Sequence, residues 1–89
     1  MHSIVTVTGP DHTGIIAGVT TTLAAHDVNV VDSSQTIMDT WFTMILRVEI
    51  PDDSPGIAAL EDVLAATGRE QNVSIRVQAE ELFSAVNDL

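Results

Sequence analysis

Phe42, Met44, Leu46, Val48 and Ile50 occupy every second position of one run, and Thr43, Ile45, Arg47 and Glu49 fill the gaps. Side chains alternate across a strand, so the run predicts a strand with one buried and one open face. Such a strand needs a second layer over its apolar side. Two segments have the 3.6-residue spacing that supplies one. The first is 14–26, with Ile15, Val19, Thr22, Leu23 and His26 on one stripe and Ile16 beside it. The second carries Ile57, Leu60, Val63, Leu64 and Thr67. Ser54 before Pro55 suits its Ncap and N1 positions, and Gly68 reads as its end signal. Asp11 or Thr13 suits the N-cap of the first helix.

Three more strands complete the pattern. Residues 3–8 are β-branched and alternate, 28–37 read as a strand after the "HDVN" break, and 73–79 put Val73, Ile75 and Val77 on one face. "MDTW" at 38–41 is a hairpin turn between the second and third strands. Leu82, Phe83 and Val86 predict a short C-terminal helix. The order β-α-β-β-α-β predicts an α+β, ferredoxin-like sandwich, with a four-stranded antiparallel sheet and two helices on one face. Right-handed crossovers put the first and third strands in the middle. The second is then an edge, available for pairing with another copy. Eighty-nine residues make a single domain, 1–89, with a core modest enough that self-association adds useful stability.

Charge narrows the function. Thirteen acidic residues face three arginines and no lysine, a net charge of −10. That field repels nucleic acid, anionic lipid and polyphosphates. With no cysteine there is no disulfide framework, thiolate metal site or cysteine nucleophile, which fits a cytoplasmic protein. The start "MHSIVTV" has neither a basic leader nor a long apolar segment, and Gly14 to Ala25 is too short to span a bilayer.

The stretch "TGPDHTG" at 8–14 has the layout of a phosphate loop, a strand running through glycines into a helix. It lacks the lysine of such loops, and its glycines at 9, 14 and 18 do not fit a dinucleotide fingerprint. What it keeps is a helix N-terminus, which favours an anion, beside one aspartate, which favours a cation. Two readings stand: a capped helix with no ligand, or a pocket for something small and zwitterionic.

"DHTGIIAGV" followed by "VNVVDSSQT" resembles the ACT domain, a small regulatory βαββαβ module. The match is closest to the small stand-alone ACT proteins of bacteria and archaea (UPF0237-like). It extends to the ACT segments of glycine-cleavage repressors and of formyltetrahydrofolate deformylase. It covers essentially the whole chain and departs at Thr13, where many ACT loops carry proline. The resemblance implies a non-catalytic homodimer that binds an amino acid between the first loop of one copy and the second strand of its neighbour. By matched position Asp11, His12, Thr13, Gly14 and Ile15 form the loop side, and Asn29 and Asp32 the strand side. It implies no cofactor. The other reading is a ligand-free subunit that regulates a metabolic enzyme by association.

The remaining polar residues form no constellation. His2, His12 and His26 are far apart and lack metal-ligand spacing. His12 is either a solvent-facing loop residue or a ligand contact. Asp52-Asp53 and Glu80-Glu81 are sequence neighbours whose side chains diverge, and Ser33-Ser34 has no base beside it, so no active site can be assembled. Of Trp41 and Phe42, one should enter the core and the other face solvent or a partner.

Overall fold

The computed structural model describes residues 1–81. The elements are β1 (His2–Pro10), α1 (Ile15–Ala25), β2 (Asn29–Met38), β3 (Trp41–Glu49), α2 (Ile57–Gln71) and β4 (Ser74–Ala79). The helix expected around Leu82, Phe83 and Val86 lies outside the described residues.

All strand pairs are antiparallel, in the order β2-β3-β1-β4. The core lies between the sheet and the two helices. Met44, Leu46 and Val48 meet Val5 and Val7 from β1, Ile75 and Val77 from β4, Ile15, Val19 and Leu23 from α1, and Leu60 and Leu64 from α2. The alternation expected of 42–50 holds over the whole of β3. Phe42 is 2% exposed, whereas Trp41, on the uncovered face, is 52% exposed.

Helix boundaries differ from their expected positions. Neither Asp11 nor Thr13 caps α1: the N-cap is Gly14 at φ 101°, with no side-chain cap hydrogen bond. A left-handed glycine turns the chain into the helix at no steric cost. Helix α2 begins at Ile57 rather than at Pro55, and Ser54 Oγ accepts the Gly56 amide at 3.2 Å. Gly68 does not end α2. It is buried inside the helix, and a Cβ there would sit 2.7 Å from the Val73 carbonyl oxygen. The helix stops four residues later at Asn72, in the left-handed region that asparagine tolerates. The β2–β3 hairpin turns through Asp39 and Thr40, and Asp39 supplies the positive φ.

The two sheet edges are unlike. The Val77 amide of β4 points away from the sheet and donates to Glu61 Oε2 at 2.8 Å, and Arg76 Nε lies 3.7 Å from the same oxygen. A helix carboxylate thus blocks that edge. Every residue of β2, by contrast, is exposed, including Ile37 at 55% and Met38 at 73%. A β-bulge interrupts its register between Val30 and Asp32. Beyond the bulge the strand is regular. The Ser33 amide donates to Asp32 Oδ1 at 2.8 Å, so it does not belong to the ladder with β3. Hydrogen-bonding direction alternates along an antiparallel strand, so Gln35 and Ile37 also turn their backbone groups to the open edge. The same alternation, carried through Leu46 and Val5 to Val77, predicts the outward amide seen at Val77.

Candidate functional site

Where β1 ends, its loop into α1 passes beside the β2 strand and forms a groove of about 470 Å³. One wall is the loop Asp11 to Ile15 with Ile16 and Ala17 of the first helical turn; the other is Gln35 and Ile37 of β2 with Phe42 of β3. The first amides of a helix have no partner within it. Among the described residues no side chain takes that role for α1, and the first helical bond runs from the Gly18 amide to the Gly14 oxygen at 2.9 Å. The groove therefore has free donors and the positive end of the α1 dipole on one side. Asp11 stands beside them, and Ile16, Ile37 and Phe42 supply apolar surface.

His12 holds this loop in place. Its Nδ1 lies 3.0 Å from the Thr13 carbonyl oxygen, and its Nε2 meets the carbonyl of Gln71, the last residue of α2. Both neighbours are carbonyls, so the protonated ring, which has two N–H donors, suits this pair of contacts better than the neutral one. The Gln71 carbonyl, then the Thr13 carbonyl, then Asp11, raise its pKa above 6.5. A pKa raised by folding contributes stability that is complete below the unfolded value and is lost as pH rises through the folded one. A His12→Gln variant is therefore expected to match the parent in thermal stability at about pH 8.5. The parent should gain on it as pH falls toward about 6. Melting curves across that range check this, and parallel curves would show that the ring carries no proton in this contact.

All five loop residues expected from the sequence meet at the groove. Asn29 and Asp32 do not. Asn29 pairs with Glu49 and Asp32 with Arg47, at the far end of β2. Gln35 lies six positions after Asn29, about 20 Å of extended chain. Ile16, Ala17, Gln35, Ile37 and Phe42 line the groove and were not among the expected site residues. Gln35 and Ile37 share the face of Phe42 through the β2–β3 register, in which Gln35 lies opposite Met44 and Ile37 opposite Phe42. Among the described residues, no group of three or more histidines, aspartates or glutamates could hold a metal ion. Nor, among them, is any helix long and apolar enough to cross a membrane.

The sequence model of the ACT domain matches residues 2–78. The chain belongs to the ACT domain family. This ACT domain is 55% identical to a UPF0237 protein of Corynebacterium efficiens, with all of both chains aligned. It superposes on an ACT domain protein from Streptococcus pneumoniae with a TM-score of 0.82 and 37% identity, over 93% of each chain. A formyltetrahydrofolate deformylase from Pseudomonas putida shares the fold, with a TM-score of 0.80 at 20% identity, over 89% of this chain and 29% of that one. ACT domains are in general regulatory, ligand-binding modules.

Proposed function

We propose that this ACT domain is a non-catalytic regulatory module of the cytoplasm that binds an amino acid as a homodimer. One observation carries the reading: the groove lies between a helix N-terminus without a side-chain cap and a strand edge that, among the described residues, no further strand covers. The N-terminal amides of α1 suit the ligand carboxylate, and Asp11 suits its ammonium group. Ile16, Ile37 and Phe42 favour an apolar side chain.

A second copy completes the site. Two β2 strands pairing antiparallel about a two-fold axis run in opposite directions. Asn29 and Asp32 of the second copy then come beside Gln35 and Ile37 of the first, next to the loop. The blocked edge at Val77 leaves β2 as the edge suited to this pairing. Exposed Ile37, Val30 and Val31 add apolar surface to it. Association at this edge without a ligand is the reading left if no amino acid binds, with a metabolic enzyme as the partner.

A thermal-shift screen of the twenty amino acids at millimolar concentration tests the proposal. Saturation at a hundredfold over Kd stabilises by about 2.7 kcal/mol, or roughly 10 °C or more for a domain this size. Aliphatic amino acids are expected to give the largest shifts. No shift with any of the twenty would sink the amino-acid reading.

A further inference from the structure

A second cavity, of about 680 Å³, opens on the other side of the β1 end. It exists because β4 is short there: the pairing with β1 stops at Thr8 with Ser74, so Gly9 and Pro10 are paired with β3 on one side and have no β4 residue on the other. Its walls are Trp41 on the sheet side and Arg69 and Asn72 on the α2 side, with Thr8 and Ser74 between them. The close approach of Gly9 to the α2–β4 turn, where a Cβ would lie 2.8 Å from Val73 Cγ1, fixes its floor.

Trp41 is unusually exposed for its type, and Arg69, in the last turn of α2 where a cation is favoured, is the arginine whose guanidinium stays available. The chain has three arginines against thirteen acids. Arg47 pairs with Glu80 and Arg76 with Glu61, but Arg69 has no carboxylate partner among the described residues. Two of the last carbonyls of α2 are met by other groups. The Gly68 oxygen accepts the Val73 amide at 2.9 Å, and the Gln71 oxygen accepts from His12. The one tryptophan, meanwhile, leaves half its surface in water. Tryptophan and arginine are the side chains that most often anchor binding sites, and here they line one concavity.

We propose that this cavity is a second ligand site, separate from the amino-acid groove, for a small aromatic carboxylate. Its ring stacks on the Trp41 indole and its carboxylate takes the planar fork of Arg69. Hydroxyls of Thr8 and Ser74 and the amide of Asn72 meet polar ring substituents. A single negative charge matches the single arginine, whereas a polyphosphate would meet the acidic field of the rest of the chain.

Trp41 makes the test direct, since it is the chain's one indole fluorophore. Phenylacetate is titrated into the full chain with excitation at the indole edge, beside its neutral isostere phenylacetamide. The expected result is a saturable change with phenylacetate by about 10 mM, ordinary efficiency for so small a probe. Phenylacetamide should require at least tenfold more. Arg69→Gln, at an exposed position where little change in melting temperature is expected, should weaken the phenylacetate response at least tenfold. Its response to amino acids should match the parent's, so failure here and failure of the amino-acid reading are distinguishable. No saturable change, equal responses to the two probes, or an undiminished response in Arg69→Gln would each overturn the proposal.

Discussion

Phe42→Ala is expected to cost about 3–5 kcal/mol, while Trp41→Ala, one residue away, costs under about 1 kcal/mol. The two side chains leave β3 on opposite faces. Phe42 is 2% exposed, opposite Gly9 of β1 and Ile37 of β2, and belongs to the same core as Ile15 of α1. Removing its ring deletes apolar contact and leaves a cavity that rigid neighbours on several elements cannot close. A domain of this size has about 4–13 kcal/mol of total stability, so the substitution consumes a large share of it. Urea unfolding of the two variants measures both numbers on one scale. A loss below about 1.5 kcal/mol for Phe42→Ala would mean that α1 does not pack over this end of the sheet. The same variant should bind amino acids poorly even where it folds, because the ring is also part of the groove wall.

That double role explains what could and could not be read from the sequence. Strict alternation from Phe42 to Ile50 placed β3, and the order of elements followed from the two helical spacings. Periodicity reports which face is buried, and β3 buries one face along its whole length. Gly68 shows where such reading stops. A glycine near the end of a helical pattern serves equally as a stop or as a point of close packing. Here the Val73 carbonyl, on a segment five residues away, decides for packing. The α1 cap failed for a similar reason. Asp11 and Thr13 have the right chemistry, but the left-handed turn at Gly14 makes the glycine itself the N-cap. For the groove, the loop residues were legible because they form one continuous stretch. Gln35, Ile37 and Phe42 reach it from two other strands, and only the register across β2 and β3 brings them there. The exposure of β2 was not legible at all, since Val30, Val31 and Ile37 read as ordinary strand apolars until the helices are seen to leave them uncovered.

The open edge gives the largest functional effect expected. Ser33→Pro should weaken self-association by about a hundredfold or more and abolish stabilisation by amino acids, with little loss of monomer stability. Proline removes an amide, and at Ser33 that amide bonds only its neighbour Asp32. No ladder bond to β3 is lost, and Asp32 already has the extended backbone that a following proline requires. The pairing of two β2 edges does lose a bond, twice by symmetry, and the rings obstruct the approach of the strands. The adjacent substitution is the control. At Ser34 the amide direction reverses toward β3, so Ser34→Pro breaks the sheet itself and should cost about 3 kcal/mol or more in the monomer. Sedimentation velocity separates the two cases, with melting curves recorded alongside. A folded Ser33→Pro chain that associates as tightly as the parent would move the interface off this edge. Loss of association together with retained amino-acid binding would confine the ligand to one copy, with Asp11 and the α1 amides as its whole polar site.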